Sequence, residues 1–187
     1  MIDRNCARHI MVTGGVRSGK SRYAEEIAAK LRGKVTYLAT AQALDAEMRE
    51  RIEKHQQRRP NDWKTIEEPL EIVTVLSRCQ KGDTVLLDCL ILYLSNLFFK
   101  YAELPIVSQE QIIEEKVADL AETVKQSEAN IIIVTNEIGW GVVPDNSLAR
   151  RFRDIAGKAN QRLAAVCDEV YLLVSGLPVR IKGDNDV

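Results

Sequence analysis

The residues of this 187-residue chain that are best suited to chemistry form a glycine-rich segment near the N-terminus. Residues 14–21, Gly-Gly-Val-Arg-Ser-Gly-Lys-Ser, fit the pattern G-x-x-x-x-G-K-[ST] in full. Glycines let backbone N–H groups curl around phosphate oxygens, and a following helix adds the positive end of its dipole. Lys20 can then reach the β and γ phosphates, and Ser21 can ligate Mg²⁺. The segment predicts a site for a purine nucleoside triphosphate with Mg²⁺, against the alternative of a chance glycine-rich turn.

A phosphate loop of this kind usually works with a second acidic group, placed near the metal at the end of another strand. Asp88 closes the apolar run Thr84-Val-Leu-Leu-Asp88, which is the expected placement. We therefore predict that Asp88 joins Ser21 as a metal ligand. Capping of the helix that follows is the alternative, and the two roles are compatible.

His55 is the histidine with the more informative setting. Arg51 and His55 are four residues apart on a predicted helix, and Arg58 and Arg59 follow at the next positions of the same face. Such a face is ordinarily a solvated charged surface. The chemical alternative is a phosphate-handling face, on which arginines hold polyphosphate oxygens and favour the neutral, nucleophilic imidazole. His9 is expected to lie in an irregular leader, residues 1–9, without a functional role.

Strand and helix patterns alternate along the chain, which predicts an α/β fold with a mostly parallel sheet and helices on both faces. The two closing strands, joined at Ser175-Gly176, are candidates for a hairpin, and ligands are expected at the carboxyl ends of the strands. We expect Ser108 to be the N-cap of a long amphipathic helix at 108–127, and Pro60 to end the helix predicted at 44–59. We predict strands at 10–13, 35–40, 84–88, 130–135, 170–174 and 178–181, and helices at 20–31, 44–59, 69–79, 90–100, 108–127 and 147–166.

Composition limits the classes of protein that fit. The 26 basic and 27 acidic side chains give a net charge of -1, which argues against a nucleic-acid or membrane-surface protein. The most apolar stretch, residues 85–99, contains Asp88 and is shorter than the ~20 residues of a membrane span. The four cysteines of the chain are widely spaced and no secretory leader is visible, so we expect reduced thiols and a cytoplasmic location. The length fits one domain, residues 1–187.

The order and spacing of several motifs carry a resemblance over residues 10–182. The chain resembles the bifunctional adenosylcobinamide kinase / adenosylcobinamide-phosphate guanylyltransferase family of cobalamin biosynthesis. The matching pieces are Val12-Thr-Gly-Gly-Val-Arg-Ser-Gly-Lys-Ser-Arg22, Tyr37-Leu-Ala-Thr-Ala41, Arg51-Ile-x-x-His55, Arg59-Pro60 with Trp63, Thr135-Asn-Glu-Ile-Gly-Trp-Gly-Val-Val-Pro144, Arg150-x-Phe-Arg-Asp154, Gly157, Asn160-Gln161 and Asp168-Glu169-Val170.

That resemblance implies two reactions: phosphorylation of the aminopropanol hydroxyl of adenosylcobinamide, and transfer of GMP from GTP through a guanylyl-histidine to the phosphate product. It implies a RecA-like P-loop sheet, a homotrimer, ATP and GTP as substrates, and His55 and Lys20 as catalytic residues. Some relatives have two adjacent histidines where this chain has Lys54-His55, so only His55 can be the nucleophile here. The implied nucleotide-binding residues are Gly14, Gly15, Val16, Arg17, Ser18, Gly19, Lys20, Ser21, Ala39, Thr40, Ala41, Gln56, Gln57, Arg58, Arg59, Glu67 and Asp88.

Three questions stay open at the level of the sequence. Thr135, Asn136 and Glu137 follow a buried strand, so they are expected at the carboxyl edge of the sheet, in the active site or capping a turn. The cluster of Arg150, Arg153 and Asp154 suits either a solvated salt-bridge face or substrate phosphate binding. A different small-molecule P-loop kinase, without a covalent histidine, is the rival function. If His55 does attack the α-phosphorus, its helix is predicted to move when nucleotide binds.

Overall fold

The computed structural model describes residues 7–31, 33–43, 46–57 and 59–183, without the side chains of residues 47, 51, 52, 54 and 55. Strands and helices alternate through these ranges as the sequence predicts. In chain order the elements are β1 (His9–Gly14), α1 (Lys20–Lys30), β2 (Val35–Ala39), α2 (Ala46–Gln56), β3 (Lys64–Glu67), α3 (Ile72–Leu76), β4 (Thr84–Asp88), α4 (Leu90–Lys100), α5 (Ile106–Gln126), β5 (Asn130–Val134), α6 (Ser147–Val166), β6 (Glu169–Val174) and β7 (Leu177–Lys182).

One sheet joins the strands in the order β3-β2-β4-β5-β1-β6-β7. The first six strands are parallel, and β7 runs antiparallel to β6. The mostly parallel sheet and the C-terminal hairpin are therefore confirmed. In this order β5 lies between β1, which leads into the phosphate loop, and β4, which ends at Asp88. The two predicted metal-binding segments thus flank a single strand.

Side chains alternate between the faces of the sheet and feed two separate apolar clusters. Met11, Leu87 and Ile133 lie in the larger cluster, which also takes in the buried faces of helices α3 to α6. Ile10 and Val12 lie in the smaller cluster on the opposite side, with the small helix residues of α1. Helices therefore cover both faces, as predicted. None of the helices within the described ranges has the length and apolar character needed to cross a bilayer.

The leader predicted at residues 1–9 is wrong for its last residues. β1 begins at His9, which is 7% exposed, pairs with Ile131 of β5 and places its Nε2 3.2 Å from the Ser127 carbonyl oxygen. The side chain of Arg8 forms an ion pair with Glu169. The ladder with β5 extends one residue further than the apolar run indicates, because a half-polar imidazole can be buried when its nitrogen has a partner.

Other differences concern exposed or short elements. β3 was not predicted, because Lys64–Glu67 is an edge strand with mostly exposed side chains and no apolar run. The helix expected at 69–79 is only Ile72–Leu76. The long helix α5 begins at Ile106 with Pro105 as its N-cap, so the prediction of Ser108 as the cap is wrong; proline fits well where a helix starts. Helix 44–59 is described as Ala46–Gln56, with residues 44, 45 and 58 outside the described ranges.

Candidate active site

The phosphate loop, residues 14–21, joins β1 to α1 at the carboxyl edge of the sheet. Gly14 has a φ of +144°, and a Cβ there would lie 2.5 Å from the carbonyl oxygen of Leu173, so the position requires glycine. Lys20 is 7% exposed and folds back over the loop, donating from Nζ to the Gly15 carbonyl oxygen at 2.5 Å. Burial lowers the pKa of Lys20, partly offset by the nearby Cys89 and Asp88. The buried ammonium can exchange this carbonyl for phosphate oxygens.

The turn between β6 and β7 supports the phosphate loop from the other side. The backbone N–H of Gly176 donates to the Ser18 carbonyl oxygen at 3.0 Å. A Cβ on Gly19 would lie 3.3 Å from the Cα of Gly176, so the two backbones are in close contact. Sequence reasoning predicts the hairpin but not this contact, for which the Ser175-Gly176 pair beside a strand end is the sole sequence signal.

Asp88 lies at the end of β4 and is held by a buried tyrosine that the sequence analysis did not select. Tyr37, on β2, is 2% exposed and donates from its hydroxyl to Asp88 Oδ2 at 2.5 Å. Burial, followed by the neighbouring Asp88 carboxylate, raises the pKa of Tyr37 far above its ordinary value, so the phenol stays a donor. This bond occupies Oδ2 and leaves Oδ1 of Asp88 with acceptor capacity for a metal or its water.

The segment 39–41 is fixed against the end of β4. The Thr40 N–H donates to the Asp88 carbonyl oxygen at 3.1 Å, and its fully buried hydroxyl donates to the Cys89 carbonyl oxygen at 2.8 Å. Asn96 on α4 donates from Nδ2 to the Thr40 carbonyl oxygen at 2.9 Å. Ala39, Thr40 and Ala41 therefore lie at the same edge of the sheet as Asp88, and their contact with a nucleotide stays a prediction.

The segment after α2 contacts Tyr37, the partner of Asp88, through Arg59. Its guanidinium carbon lies 3.4 Å from the centroid of the Tyr37 ring, and Nη1 donates to Thr65 Oγ1 at 3.3 Å. Arg59 Nε is shielded from solvent and has no hydrogen-bond partner within the described part of the chain. A buried guanidinium donor without a partner suits an anionic ligand such as phosphate.

The other predicted residues of this region divide into two groups. Gln56 donates from Nε2 to Glu67 Oε1 at 3.2 Å, and Gln57 is exposed. His55 lies in the last turn of α2, but its side chain is outside the described set, and Arg58 is outside the described residues altogether. The structure therefore brings the helix end next to Glu67, and the roles of His55 and Arg58 stay predictions.

Thr135, Asn136 and Glu137 do lie at the carboxyl edge beside the phosphate loop. The Glu137 N–H donates to the Gly14 carbonyl oxygen at 3.2 Å, and Thr13 Oγ1 donates to Glu137 Oε1 at 2.8 Å. Asn160 of α6 accepts from the buried Thr135 hydroxyl at 2.7 Å and donates to the Asn136 carbonyl oxygen at 3.1 Å. These bonds connect β5, β1 and α6, so the segment orders the loop that follows it.

Arg150 and Arg153 hold that following loop by its backbone, a role that the sequence did not predict beside the two that it left open. Their four hydrogen bonds run to carbonyl oxygens, from Arg150 Nη1 to Pro144 at 2.8 Å and Asp145 at 2.7 Å, from Arg153 Nη1 to Val142 at 3.1 Å and from Arg153 Nη2 to Gly139 at 2.8 Å. We call residues 138–145 the Trp140 loop. Ile138 packs against the larger apolar cluster, and beyond it the guanidinium bonds hold the loop backbone.

The available oxygens fit Mg²⁺ as a partner of bound phosphate. Asp88 offers a carboxylate oxygen, Ser21 offers a half-buried hydroxyl at the start of α1, and both are hard ligands. No group of three or more histidine, cysteine, aspartate or glutamate side chains that could hold a metal exists among the described residues. Mg²⁺ commonly needs only one or two protein ligands, with substrate phosphates and waters supplying the rest.

Comparison with known proteins agrees with this arrangement. The sequence model of the family described as cobinamide kinase / cobinamide phosphate guanyltransferase matches residues 10–181. The bifunctional adenosylcobalamin biosynthesis protein CobU of Escherichia coli is 43% identical over 180 residues, covering 92% of this chain and 99% of that protein. The bifunctional adenosylcobalamin biosynthesis protein CobP of Pseudomonas aeruginosa is 42% identical, covering 93% and 97%.

Among solved structures, the Pyrococcus horikoshii protein PH0250 superposes with a TM-score of 0.55 at 10% identity, covering 97% of this chain and 89% of that one. At that identity the similarity concerns the fold alone. The family match spans nearly the whole chain, and the two relatives align over almost their full lengths. This chain belongs to the cobinamide kinase / cobinamide phosphate guanyltransferase family.

Proposed function

We propose that this protein phosphorylates the aminopropanol hydroxyl of adenosylcobinamide and then transfers GMP from GTP to the resulting phosphate. The observation that carries the proposal is the contact chain from Asp88 through Tyr37 to Arg59. It supports the proposal because it connects the segment that follows the His55 helix to Asp88, at the edge of the sheet that carries the phosphate loop. A plain kinase needs the loop and Asp88, but it does not need a histidine helix at the same nucleotide.

In the kinase step, Lys20 and the loop amides bind the β and γ phosphates. The acceptor hydroxyl attacks the γ-phosphorus, the new O–P bond forms, the bond to the departing nucleoside diphosphate breaks, and the hydroxyl proton is released. Mg²⁺ held by Ser21 and Asp88 would neutralise charge on the phosphates. Tyr37 keeps the Asp88 carboxylate oriented through its hydrogen bond, so little reorganisation is needed.

In the second reaction, the neutral His55 imidazole attacks the α-phosphorus of GTP. An N–P bond forms and pyrophosphate leaves. A phosphate oxygen of adenosylcobinamide phosphate then attacks the same phosphorus, the N–P bond breaks, and the imidazole is restored as adenosylcobinamide-GDP forms. Arg59, whose Nε has no partner among the described residues, is suited to hold phosphate oxygens during both displacements.

The second reaction needs His55 in line with the α-phosphorus, whereas the phosphate loop is built for the β and γ positions. We infer that α2 moves when GTP binds. The described side chains of α2 are exposed or half-buried and belong to neither apolar cluster, so the described part of the helix can shift without disrupting the core. Crystal structures with and without GTP that superpose without a shift of α2, His55 already being in line, would remove the need for that motion.

The test of the function is an intact-protein mass spectrum after incubation with GTP and Mg²⁺, without any acceptor. We expect an acid-labile adduct of the mass of GMP, lost in His55→Asn, while ATP-dependent phosphorylation of adenosylcobinamide persists in that variant. No adduct on a protein that binds GTP would favour a plain P-loop kinase. An adduct retained in His55→Asn would place the nucleophile elsewhere.

Three finer statements belong to the same proposal. We infer Mg²⁺ as the metal from the oxygen ligands described above. From the family resemblance we infer a homotrimer that acts in the cytoplasm on a corrinoid and not on nucleic acid; the net charge of -1 is consistent with the last point. Sedimentation velocity on the purified protein tests the trimer directly, and a monomer at micromolar concentration would contradict it.

A further inference from the structure

The Trp140 loop begins at the edge of the sheet where an acceptor would meet a nucleotide bound to the phosphate loop. β5 lies between β1 and β4, so the chain that leaves β5 lies between the phosphate loop and Asp88. The loop starts immediately after Glu137, whose N–H is 3.2 Å from the Gly14 carbonyl oxygen. A molecule that presents a hydroxyl to a nucleotide on the phosphate loop therefore passes this segment.

The loop presents apolar side chains to solvent at this position. Trp140 is 68% exposed, Val142 is 93% exposed and Val143 is 64% exposed. Three large apolar side chains within four residues form an uncommon surface for a loop beside a polar nucleotide site, and such surfaces mark binding sites. The phosphates of a nucleotide do not account for them, because phosphates are bound by backbone N–H groups and by cations, and a stacked purine base would be revealed by a change in GTP binding on loss of the indole.

The exposure is a consequence of how the loop is held. Arg150 and Arg153 bind four backbone carbonyl oxygens of the loop, and the Thr135–Asn160 bond fixes the strand end from which the loop departs. With the backbone fixed by these polar bonds, the indole and the two isopropyl groups have no role in shaping the loop and are directed to solvent. The arrangement preorganises an apolar platform, which lowers the entropic cost of binding.

We propose that the Trp140 loop is the binding platform for the corrin ring of the acceptor, an assignment that rests on the proposed function. A corrin is a wide, nearly flat macrocycle whose faces are largely apolar and whose rim carries amides. Its face can stack on an indole and contact valine side chains, while rim amides reach polar groups at the ends of the loop. The aminopropanol arm then extends from the ring toward the phosphate loop.

Replacing Trp140 should weaken the binding of adenosylcobinamide and leave the reaction with GTP unchanged. In Trp140→Ala, the KM for adenosylcobinamide is expected to rise roughly 10- to 100-fold, the range for losing one large buried apolar side chain. The GMP adduct formed with GTP alone should be unchanged, because that half-reaction needs no corrin. Val142→Ser should raise the same KM by a smaller factor, since it removes less apolar surface.

Two exposed apolar residues elsewhere provide matched controls. Phe99, at the end of α4, is 67% exposed, and Val107, at the start of α5, is 77% exposed. α4 begins at the carboxyl edge and Phe99 lies nine residues further on, about 14 Å along the helix. Phe99→Ala and Val107→Ser should leave the KM for adenosylcobinamide unchanged, although they remove similar exposed apolar surface.

A binding measurement makes the test direct. The chain has two tryptophans, Trp63 and Trp140, so Trp63→Phe leaves Trp140 as the sole indole. Adenosylcobinamide absorbs in the near ultraviolet and should quench this fluorescence saturably if its ring stacks on Trp140. Absence of quenching at acceptor concentrations that saturate phosphorylation would overturn the proposal.

The remaining outcomes separate this proposal from the one it rests on. If the unaltered protein neither phosphorylates adenosylcobinamide nor forms the GMP adduct, the proposed function fails. If the unaltered protein does both and Trp140→Ala keeps its KM, only the corrin platform fails. If Trp140→Ala instead changes the oligomeric state in sedimentation velocity, the loop contacts a second copy of the chain, and the platform is likewise refuted.

Discussion

Two regions meet at the nucleotide site, and they are built in opposite ways. The phosphate loop stands on β1, a wholly buried strand, and is fixed by Gly176, Leu173 and the network of Glu137. In α2 and the turn that follows it, the described side chains are exposed or half-buried, and Arg59 of this turn contacts Tyr37, whereas β3 beyond the turn is paired with β2 along its length. Backbone contacts thus fix the phosphate loop to the ends of three strands, whereas α2 and the turn after it are attached at few points among the described residues.

The difference matches the two chemistries of the proposed function. Phosphoryl transfer at the γ-phosphorus depends on charges placed in advance, which a rigid loop supplies. Attack at the α-phosphorus requires a nucleophile that reaches a second position on the same ligand, which a loosely held helix allows. Changes in the rigid region should therefore damage both reactions and often stability, while changes in the α2 segment should affect guanylylation alone.

Replacing the buried lysine should have the largest effect. Lys20→Met removes the cation that binds the β and γ phosphates, and we expect kcat for phosphorylation to fall about 10²- to 10³-fold, as when one preorganised charge-stabilising group is removed. The measurement is initial-rate kinetics with adenosylcobinamide and ATP. A loss of less than about threefold in kcat would show that the phosphate loop does not carry the reaction, and the rigid region could not be assigned to phosphorylation.

The pH dependence of ATP affinity checks the same residue. Burial lowers the pKa of Lys20, so it loses its charge at a lower pH than the ~10.4 of a free lysine. ATP affinity should therefore weaken as pH rises toward that value, and titration calorimetry should show proton uptake on binding in this range. In Lys20→Arg the guanidinium stays charged, so this part of the pH dependence should disappear.

The rigid region was also the part that the sequence predicts best. The glycines of the loop motif specify the conformation of the loop by themselves. The apolar run ending at Asp88 and the Ile-rich strand are recognised as buried strands from their own residues. Tyr37 could not be found that way, because its role depends on the pairing of β2 with β4, which brings its hydroxyl to Asp88. For a similar reason the sequence did not predict the bonds of Arg150 and Arg153 to carbonyl oxygens, since these partners are set by the path of the loop and not by helix periodicity.

The network behind the loop should govern stability. Asn160→Ala removes the acceptor of the buried Thr135 hydroxyl and the donor to the Asn136 carbonyl oxygen, so we expect a loss of about 1–3 kcal/mol in the free energy of unfolding. Urea unfolding followed by circular dichroism measures it. The exposed neighbour substitution Arg162→Ala should be nearly neutral. Equal effects of both variants would argue that the network does not fix this edge.

Tyr37 links the two regions, and its hydroxyl belongs to the rigid one. Tyr37→Phe keeps the ring beneath Arg59 but removes the hydrogen bond to Asp88, so kcat for phosphorylation should fall about tenfold, in line with the loss of one hydrogen bond to a charged group. The Mg²⁺ concentration for half-maximal activity should rise as well, which a general loss of packing would not cause. An unchanged Mg²⁺ requirement would mean that Tyr37 does not orient the metal ligand.

The smallest expected effect lies in the loosely held region and is the most selective. Arg59→Lys keeps the positive charge and part of the cation–π contact but loses the planar group stacked on Tyr37, so we expect a loss of about 0.5–1 kcal/mol of that contact. The rate of GMP-adduct formation should fall about two- to fivefold, as that energy predicts, because the segment after His55 is less well held near the nucleotide.

Phosphorylation and melting temperature should stay the same in Arg59→Lys, as they should in the control Arg22→Lys, an exposed arginine of α1 paired with Glu26. Quenched-flow mass spectrometry gives the adduct rate, and scanning calorimetry gives the melting temperature. If Arg59→Lys lowers the melting temperature as much as Asn160→Ala does, the α2 segment is as firmly built as the phosphate loop. The displacement of His55 would then have to be driven by the binding of GTP and not by a loose attachment of α2.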